Sequence, residues 1–225
     1  MSRKTENKEM KEQEREKPKS RRWYYLIVLP ILVVIAGACL VQTCGPNPGT
    51  NNLRQARTEQ AAGRKWAEPV QLPGLPNLHK VSDELYRGAQ PAAEGMKELE
   101  KLGVKTVVNL RFLTSDHTEL EGTSLIYEHI NMVSFYPVTE NVVHFLKIVT
   151  DPNRTPVFVH CQHGADRTGT MCAVYRVAVQ GWSKDEAIEE MTKGGFGHHP
   201  IWKNLPQFIR ELDIDQVKRA AGLSG

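Results

Sequence analysis

The feature that most constrains this 225-residue chain is a short glycine-bearing loop at residues 160–169. It reads His-Cys-Gln-His-Gly-Ala-Asp-Arg-Thr-Gly, and it follows an apolar, strand-like run and precedes an apolar, helix-like one. In a strand–loop–helix of this kind the loop amides and the first-turn N–H groups are unpaired, and the helix dipole adds partial positive charge. The sequence therefore predicts a binding site for an anion of the size of phosphate.

Two side chains of this loop carry chemistry. Cys161 is a nucleophile, and Arg167 is a permanent cation whose guanidinium can bind a phosphate through two N–H groups. Because an anion-favouring site also favours an ionised thiol, we expect Cys161 to be a thiolate at working pH. A thiolate beneath a bound phosphate is suited to phosphoryl transfer through a phosphocysteine intermediate.

The loop resembles the signature of the cysteine-dependent protein tyrosine and dual-specificity phosphatases, since His-Cys, a glycine three residues on and Arg-Thr-Gly match six of its positions. The resemblance covers about residues 78–212, and the motifs at 85–91, 181–182 and 194–197 are similar to those of bacterial members exported to the periplasm. It implies an α/β fold, a single phosphatase domain with a central, mostly parallel sheet flanked by helices. We expect no cofactor and no metal ion.

The resemblance also implies roles for individual residues. His160 would orient the loop and keep the thiol ionised, and Thr168 would steady the thiolate as leaving group in the second step. The other loop residues expected to bind substrate are Gln162, His163, Gly164, Ala165 and Gly169. Arg87 and Arg111 each end an apolar strand, where they would either contact substrate or form surface salt bridges.

The sequence departs from the family at the general acid. Many members carry an aspartate on a separate mobile loop before the cysteine. In the periplasmic relatives this acid falls at about the position that Ser134 occupies here, but residues 132–138 of this sequence contain no carboxylate. Asp166 matches the position of an aspartate that myotubularin-type phosphatases are thought to use as the acid. We therefore expect Asp166 to protonate the leaving oxygen. Three remoter alternatives are Asp116, Glu119 and Glu121.

The N-terminal part of the chain has a different composition. Residues 1–22 are almost wholly polar, whereas residues 23–41 are free of charge and long enough to span a bilayer. Basic residues stand just before this stretch, and the next one after it is Arg54. The positive-inside rule then places the tail in the cytoplasm and the remainder of the chain outside it.

We therefore expect a single-pass protein of the inner membrane with a periplasmic catalytic domain. The expected segments are a tail at 1–22, a transmembrane anchor at 23–43, a linker at 44–76 and the phosphatase domain at 77–225. A cleaved signal peptide and lipidation at Cys39 are the alternatives to an anchor.

Hydrophobic periodicity and turn residues predict the elements of the domain. Strands are expected at 85–87, 106–110, 125–131 and 157–160, and helices at 91–102, 141–150, 171–179, 183–193 and 201–212. Ser183 and Glu186 have the spacing of a capping box, and Pro206 should interrupt or kink the last helix.

Two other patterns are ambiguous. Cys172 is either a packed core thiol or a resolving partner for the loop cysteine, and the core is favoured. The pair His198-His199 suggests a metal site, but adjacent side chains diverge and no carboxylate or cysteine is near in sequence, so a loop is the better interpretation. A net charge of +3 without interleaved aromatic residues argues against nucleic-acid binding.

Three functions are compatible with these residues. The first is a membrane-anchored extracytoplasmic phosphatase for phosphotyrosine in proteins, with phosphoserine, phosphothreonine and small phosphomonoesters as further candidate substrates. The second is a phosphoinositide or inositol phosphate phosphatase, suggested by Asp166 and His163. The third is a phosphate-binding module without turnover, against which the presence of both Cys161 and Arg167 counts.

Overall fold

The structure is a computed structural model that describes residues 64–223. Within that range the chain forms six strands: β1 (Glu68–Pro69), β2 (His79–Lys80), β3 (Leu85–Gly88), β4 (Thr106–Asn109), β5 (Ile126–His129) and β6 (Val157–His160). The same range contains six helices: α1 (Ala93–Lys101), α2 (Thr139–Val149), α3 (Asp166–Ala178), α4 (Lys184–Lys193), α5 (Asn204–Glu211) and α6 (Ile214–Ala221).

All six strands belong to one sheet, in the order β1-β2-β3-β6-β4-β5. Strands β3, β6, β4 and β5 pair in parallel, while β1 and β2 add an antiparallel edge. Every residue of β3, β4 and β6 is buried, as expected for parallel strands that are covered on both faces. The predicted α/β fold with a mostly parallel sheet is confirmed.

Two apolar clusters lie on opposite faces of this sheet. Val157 and Val159 of β6 enter the larger cluster, which includes residues of α2 to α6, whereas Phe158 enters a smaller one with residues of α1. This alternation follows from the two-residue period of a strand. Because β6 lies between β3 and β4, the carboxyl ends of the three strands meet at one edge, where ligand sites of α/β folds are found.

Several predicted helices have different boundaries. Helix α3 begins at Asp166 rather than at 171, and the capping box of Ser183 and Glu186 is present at the start of α4. Pro206 does not kink a helix, because it is the third residue of α5, where an N–H would have no intrahelical partner. A separate helix, α6, follows after Asp213, whose side chain caps it.

The folded domain starts earlier than the predicted boundary at 77. The linker is predicted at 44–76 from its glycine, proline, asparagine and glutamine residues, yet β1 lies within that range and pairs with β2, and Leu75 is buried. Gly74 lies so close to α1 that a Cβ there would be 2.5 Å from the backbone nitrogen of Gly95. The glycine in this segment thus serves close packing rather than flexibility.

The predicted tail and anchor, residues 1–43, lie outside the described residues. Among residues 64–223 no helix combines the length and the apolar character needed to cross a membrane. The anchor therefore stays a prediction from the sequence.

Candidate active site

The carbonyl oxygens of the loop between β6 and α3 accept hydrogen bonds from residues outside the loop. No hydrogen bond from the amides of residues 162–165 is found within the described part of the chain. The amides therefore remain available to an anion, as in other backbone nests. The bonds to the carbonyl oxygens are Gln90 N to Gln162 at 3.3 Å, Asn77 Nδ2 to His163 at 2.9 Å, and Arg87 Nη2 to Gly164 at 2.7 Å.

The path of the loop depends on Gly164. Its φ is +70°, and a Cβ at this position would lie 2.4 Å from the carbonyl oxygen of Gly88 at the end of β3. Only glycine combines that conformation with that approach. The next residue, Ala165, precedes α3 and provides no side-chain cap, so the first-turn amides of the helix are also left for a ligand.

Three side chains expected to carry chemistry are brought together at this loop. Cys161 is a free thiol and 3% exposed. The Arg167 guanidinium donates to the carbonyl oxygens of Leu110 at 3.3 Å and Met132 at 3.4 Å, which places it between the segments that follow β4 and β5. Thr168 Oγ1 is buried and has no hydrogen-bond partner among the described residues, so it is available to a reacting group.

A buried charged network lies behind the nucleophile. His160 Nε2 lies 2.8 Å from Asp116 Oδ2, and its Nδ1 lies 3.3 Å from the carbonyl oxygen of Cys161. Arg111 donates to the other oxygen of Asp116. Asp116 thus joins Arg111 to His160, and this network fixes the histidine ring directly behind the nucleophile.

The sequence suggested that Arg87 and Arg111 contact substrate. In the structure both side chains are buried behind the loop and are not placed for that contact. Arg87 is 1% exposed, and besides holding the Gly164 carbonyl it stacks on Phe196 with its Cζ 3.7 Å from the ring centre. Burial lowers the pKa of Arg87, and the nearby Cys172 and Glu190 oppose that effect. Among residues 64–223 neither arginine forms a surface salt bridge, which was the alternative; Arg111 pairs with the buried Asp116.

Two further expectations need correction. Gly169 does not line the loop, since a Cβ there would be 2.9 Å from Cγ of Met191; its role is to let α3 pack on α4. Asp116 was an alternative general acid, but it is fully buried and both carboxylate oxygens are bonded within the network. The sequence analysis missed its contact with His160, because 44 residues separate the two.

Asp166 has partners that the sequence analysis also missed. Its Oδ1 accepts from the backbone N of His199 at 2.9 Å, and its Oδ2 lies 2.7 Å from His199 Nδ1. His198 Nδ1 is 3.0 Å from Oδ1. The two histidines thus do converge on a carboxylate, although no group of three or more potential ligands among residues 64–223 is arranged to hold a metal ion.

The remaining loop residues lie at the outer side of the site. Gln162 and His163 are exposed, and the His163 ring centre is 5.5 Å from that of His199. Cys172 is buried in the core, where burial raises its pKa to about 11. Such a thiol is protonated at neutral pH, which is the state of a packed core cysteine.

Comparison with known proteins agrees with this geometry. Residues 74–204, more than half of the chain, match the family described as DSP-PTPase phosphatase fused to NAD+ kinase. The dual specificity protein phosphatase TpbA of Pseudomonas aeruginosa is 34% identical over 196 residues, which cover 84% of this chain and 83% of that protein. Inositol diphosphatase SIW14 of Saccharomyces cerevisiae is 29% identical over 160 residues, 64% of this chain and 54% of that protein.

Solved structures give the same result. The crystal structure of a Cys-to-Ser variant of P. aeruginosa TpbA in complex with pTyr is 32% identical, with a TM-score of 0.64, and the match covers 72% of this chain and 99% of that one. The catalytic core of S. cerevisiae SIW14 is 25% identical, with a TM-score of 0.58 and coverages of 68% and 94%. The chain therefore belongs to the cysteine-dependent dual-specificity and tyrosine phosphatases.

Proposed function

We propose that this protein is a membrane-anchored, extracytoplasmic phosphatase that hydrolyses phosphotyrosine in proteins, with phosphoserine and phosphothreonine as further substrates. The observation that carries the chemistry is the position of Cys161 at the start of a loop whose amides are unbonded and whose far end carries Arg167. The TpbA complex with pTyr supports the substrate class by analogy.

In the first step, the thiolate of Cys161 attacks phosphorus. The S–P bond forms as the P–O bond to the leaving group breaks, and the electron pair of that bond passes to the leaving oxygen, which takes a proton from Asp166. The loop amides and Arg167 stabilise the charge on the transferring oxygens because they are already oriented before the reaction.

In the second step, water attacks the phosphocysteine. Asp166 accepts a proton from that water, the new P–O bond forms, and the S–P bond breaks with its electron pair on sulfur. Thr168 is well placed by sequence and burial to donate to the departing thiolate, since it follows Arg167 and its hydroxyl has no other partner among residues 64–223.

An exposed aromatic pair supports an aryl phosphate as substrate. Phe135 is 72% and Tyr136 is 68% exposed, and they follow Met132, whose carbonyl binds Arg167. Large exposed aromatic side chains beside a site are typical of surfaces that contact a ligand. We expect them to pack against the ring of phosphotyrosine or its neighbouring residues.

A second candidate substrate is an inositol phosphate. His163 and His199 lie close together at the outer side of the loop, where protonated rings would attract a second phosphate group. The similarity to inositol diphosphatase SIW14 points in the same direction. A panel of phosphotyrosyl, phosphoseryl and phosphothreonyl peptides and inositol phosphates, given to the detergent-solubilised full-length protein, separates the two substrate classes by kcat/KM.

Cys161→Ser tests the chemistry itself. We expect turnover to fall by about 10⁴- to 10⁶-fold, because removal of a nucleophile has effects of that order. Binding of tungstate, a phosphate analogue, should persist because the amides and Arg167 are unchanged. Hydrolysis by this variant near the wild-type rate would exclude a phosphocysteine mechanism.

Asp166→Asn tests the general acid. A phenolate such as p-nitrophenolate leaves with little protonation, whereas the tyrosine oxygen needs a proton in the transition state. The variant should lose about 10²- to 10⁴-fold on phosphotyrosine and much less on p-nitrophenyl phosphate. Equal losses on both would assign Asp166 to loop geometry and return attention to Glu119 and Glu121.

The membrane location is supported by the sequence of residues 23–43 alone. A reporter fused after Gly225 should be active only when the fusion is exported to the periplasm. N-terminal sequencing of the membrane-extracted protein should find the intact tail; a mature terminus at Cys39 would instead establish lipidation, and one elsewhere a cleaved leader.

A further inference from the structure

We propose that His199 acts through Asp166: its imidazole holds the carboxyl group in place and supplies the proton that this group passes to the leaving oxygen. His199 is then a positioning residue that also stores a proton. The inference rests on the proposed role of Asp166 as general acid and adds the group that makes this role workable.

The contact between the two residues has two points. The backbone N–H of His199 donates to Oδ1 of Asp166 at 2.9 Å, and the ring Nδ1 lies 2.7 Å from Oδ2. A length of 2.7 Å is typical of charge-assisted hydrogen bonds. Because each carboxylate oxygen has its own partner on His199, the plane of the carboxyl group is determined by this one residue.

An aspartate at this place needs a proton source. An ordinary aspartic acid has a pKa near 3.9 and is ionised at neutral pH, so by itself it has no proton to give. Histidine is the side chain whose charge ordinarily changes between pH 5 and 8. A histidine ring hydrogen-bonded to the carboxylate is therefore the side chain best suited to supply a proton to it.

His199 meets this requirement better than its neighbour. Its side chain is 48% exposed and can exchange protons with water, whereas that of His198 is only 9% exposed. His198 Nδ1 lies 3.0 Å from Oδ1 of Asp166, but its geometry does not satisfy a hydrogen bond. The His163 ring on the phosphate loop also faces His199, with 5.5 Å between the ring centres.

The segment that carries His199 is held by the same residues that hold the phosphate loop. Asn77 Nδ2 donates both to the carbonyl of His163 and to that of Phe196, at 2.9 and 3.0 Å. Arg87 stacks on the Phe196 ring while it donates to the Gly164 carbonyl. The positions of the acid and its partner are therefore coupled to the position of the anion site.

The proton movements balance over the two steps. In the first, a proton moves from His199 Nδ1 along the hydrogen bond to Asp166 Oδ2, and the carboxyl group passes it to the leaving oxygen as the P–O bond breaks. In the second, a proton of the attacking water returns through Asp166 to Nδ1. The imidazolium is thus restored at the end of each turnover.

The test separates the two roles of His199, which are to hold the Asp166 carboxyl group in place and to supply a proton to it. In His199→Gln, the backbone N–H is kept and the side-chain amide can still donate to the carboxylate, but it cannot give up a proton. We expect a loss of about 10- to 10²-fold in kcat on phosphotyrosine, the range for partners that act through another group, with p-nitrophenyl phosphate near its wild-type rate. His199→Ala should be at least as damaging.

The matched control is His144→Gln. This histidine is 51% exposed and also stands beside a carboxylate, Glu128 at 3.8 Å, but it lies on α2. It should leave both substrates unaffected. In the double variant with Asp166→Asn, His199→Gln should add no further loss, because both residues belong to one proton path.

Each outcome decides between the inference and the proposed function. A leaving-group effect in Asp166→Asn that is missing in His199→Gln, or losses that multiply in the double variant, overturns the inference and leaves the phosphatase mechanism intact. Equal losses on both substrates in Asp166→Asn overturn the inference together with the choice of Asp166 as general acid, whereas absence of wild-type turnover overturns the proposed function as well. Independently of activity, the ring Nδ1–H resonance of His199 should lie downfield, as for a short hydrogen bond to a carboxylate, and should return to the ordinary range in Asp166→Asn.

Discussion

This protein contains two buried arginine–carboxylate ion pairs that are similar in burial and charge but position different parts of the fold. Arg111 and Asp116 lie beside the phosphate loop, with side chains 7% and 0% exposed. Arg176 and Glu190 lie farther along α3, with side chains each 3% exposed. Ten residues from Asp166 to Arg176 correspond to about 15 Å of helix.

The third partner distinguishes the two pairs. Asp116 also binds His160, which contacts the backbone of Cys161, so that pair is connected to the nucleophile. Glu190 accepts from the backbone N of Ala67 at 2.7 Å, and Arg176 donates to the carbonyl of Val81 at 3.1 Å. That second pair joins the N-terminal segment of the domain to α3 and α4.

The comparison shows that burial and charge do not by themselves identify a functional group. A buried pair is weak evidence for stability, since desolvation offsets much of the attraction, but loss of one partner leaves an uncompensated charge. What the pair positions decides whether that loss appears in the rate or in the free energy of unfolding.

The largest difference is expected for Asp116→Asn. The amide presents an N–H group to either Arg111 or His160, both of which donate to Asp116 in the native network, so the ring of His160 is no longer held in place. We expect kcat to fall by about 10²- to 10⁴-fold, as when the carboxylate behind another catalytic histidine is changed to an amide. The melting temperature measured in parallel shows whether the fold survives.

Glu190→Gln should give the reverse pattern. The change leaves Arg176 buried beside a neutral amide, and we expect a loss of about 3 kcal/mol in the free energy of unfolding, measured by denaturant titration. The kcat per folded molecule should stay at the wild-type value. A rate loss as large as that of Asp116→Asn would remove the distinction between the two pairs.

Asn77→Gly tests how far the hydrogen bonds behind the phosphate loop affect substrate binding. Asn77 has a φ of 55°, so glycine removes the side chain without adding backbone strain. Loss of the hydrogen bonds to the carbonyls of His163 and Phe196 should lower the free energy of unfolding by about 1 kcal/mol. It should also raise KM by roughly tenfold, because the amides of the phosphate loop are then less well oriented toward the substrate. Steady-state kinetics should show this in KM rather than in kcat; the opposite split would contradict a role in orientation.

The smallest effect is expected at Cys172. Burial raises its pKa to about 11, so it remains a thiol at neutral pH and its thiolate fraction grows only as the pH approaches that value. Iodoacetate at neutral pH should therefore label Cys161 and not Cys172 in the native protein, as read by mass spectrometry. Cys172→Ala should leave both the rate of labelling and turnover unchanged, and a slower turnover would revive a redox role.

Several elements could be predicted because their signals are local. The strand before the loop, the capping box of Ser183 and Glu186 and most helices depend on periodicity and on side chains a few residues apart. Predicted boundaries were wrong where tertiary contacts determine the start or end of an element. The proline-rich segment 64–76 is an example, since its pairing with β2 and its packing on α1 involve residues that are distant in sequence.

By itself the sequence determined the α/β fold and the phosphate loop, because a strand, a glycine turn and a helix N-terminus make an anion site from contiguous residues. Only the tertiary structure decided that Arg87 and Arg111 lie behind the loop, that Asp116 holds His160 and that His199 holds Asp166. The physical reason is that these contacts join residues on different elements, the last of them 33 residues apart, and a single sequence carries no periodic signal for such pairs.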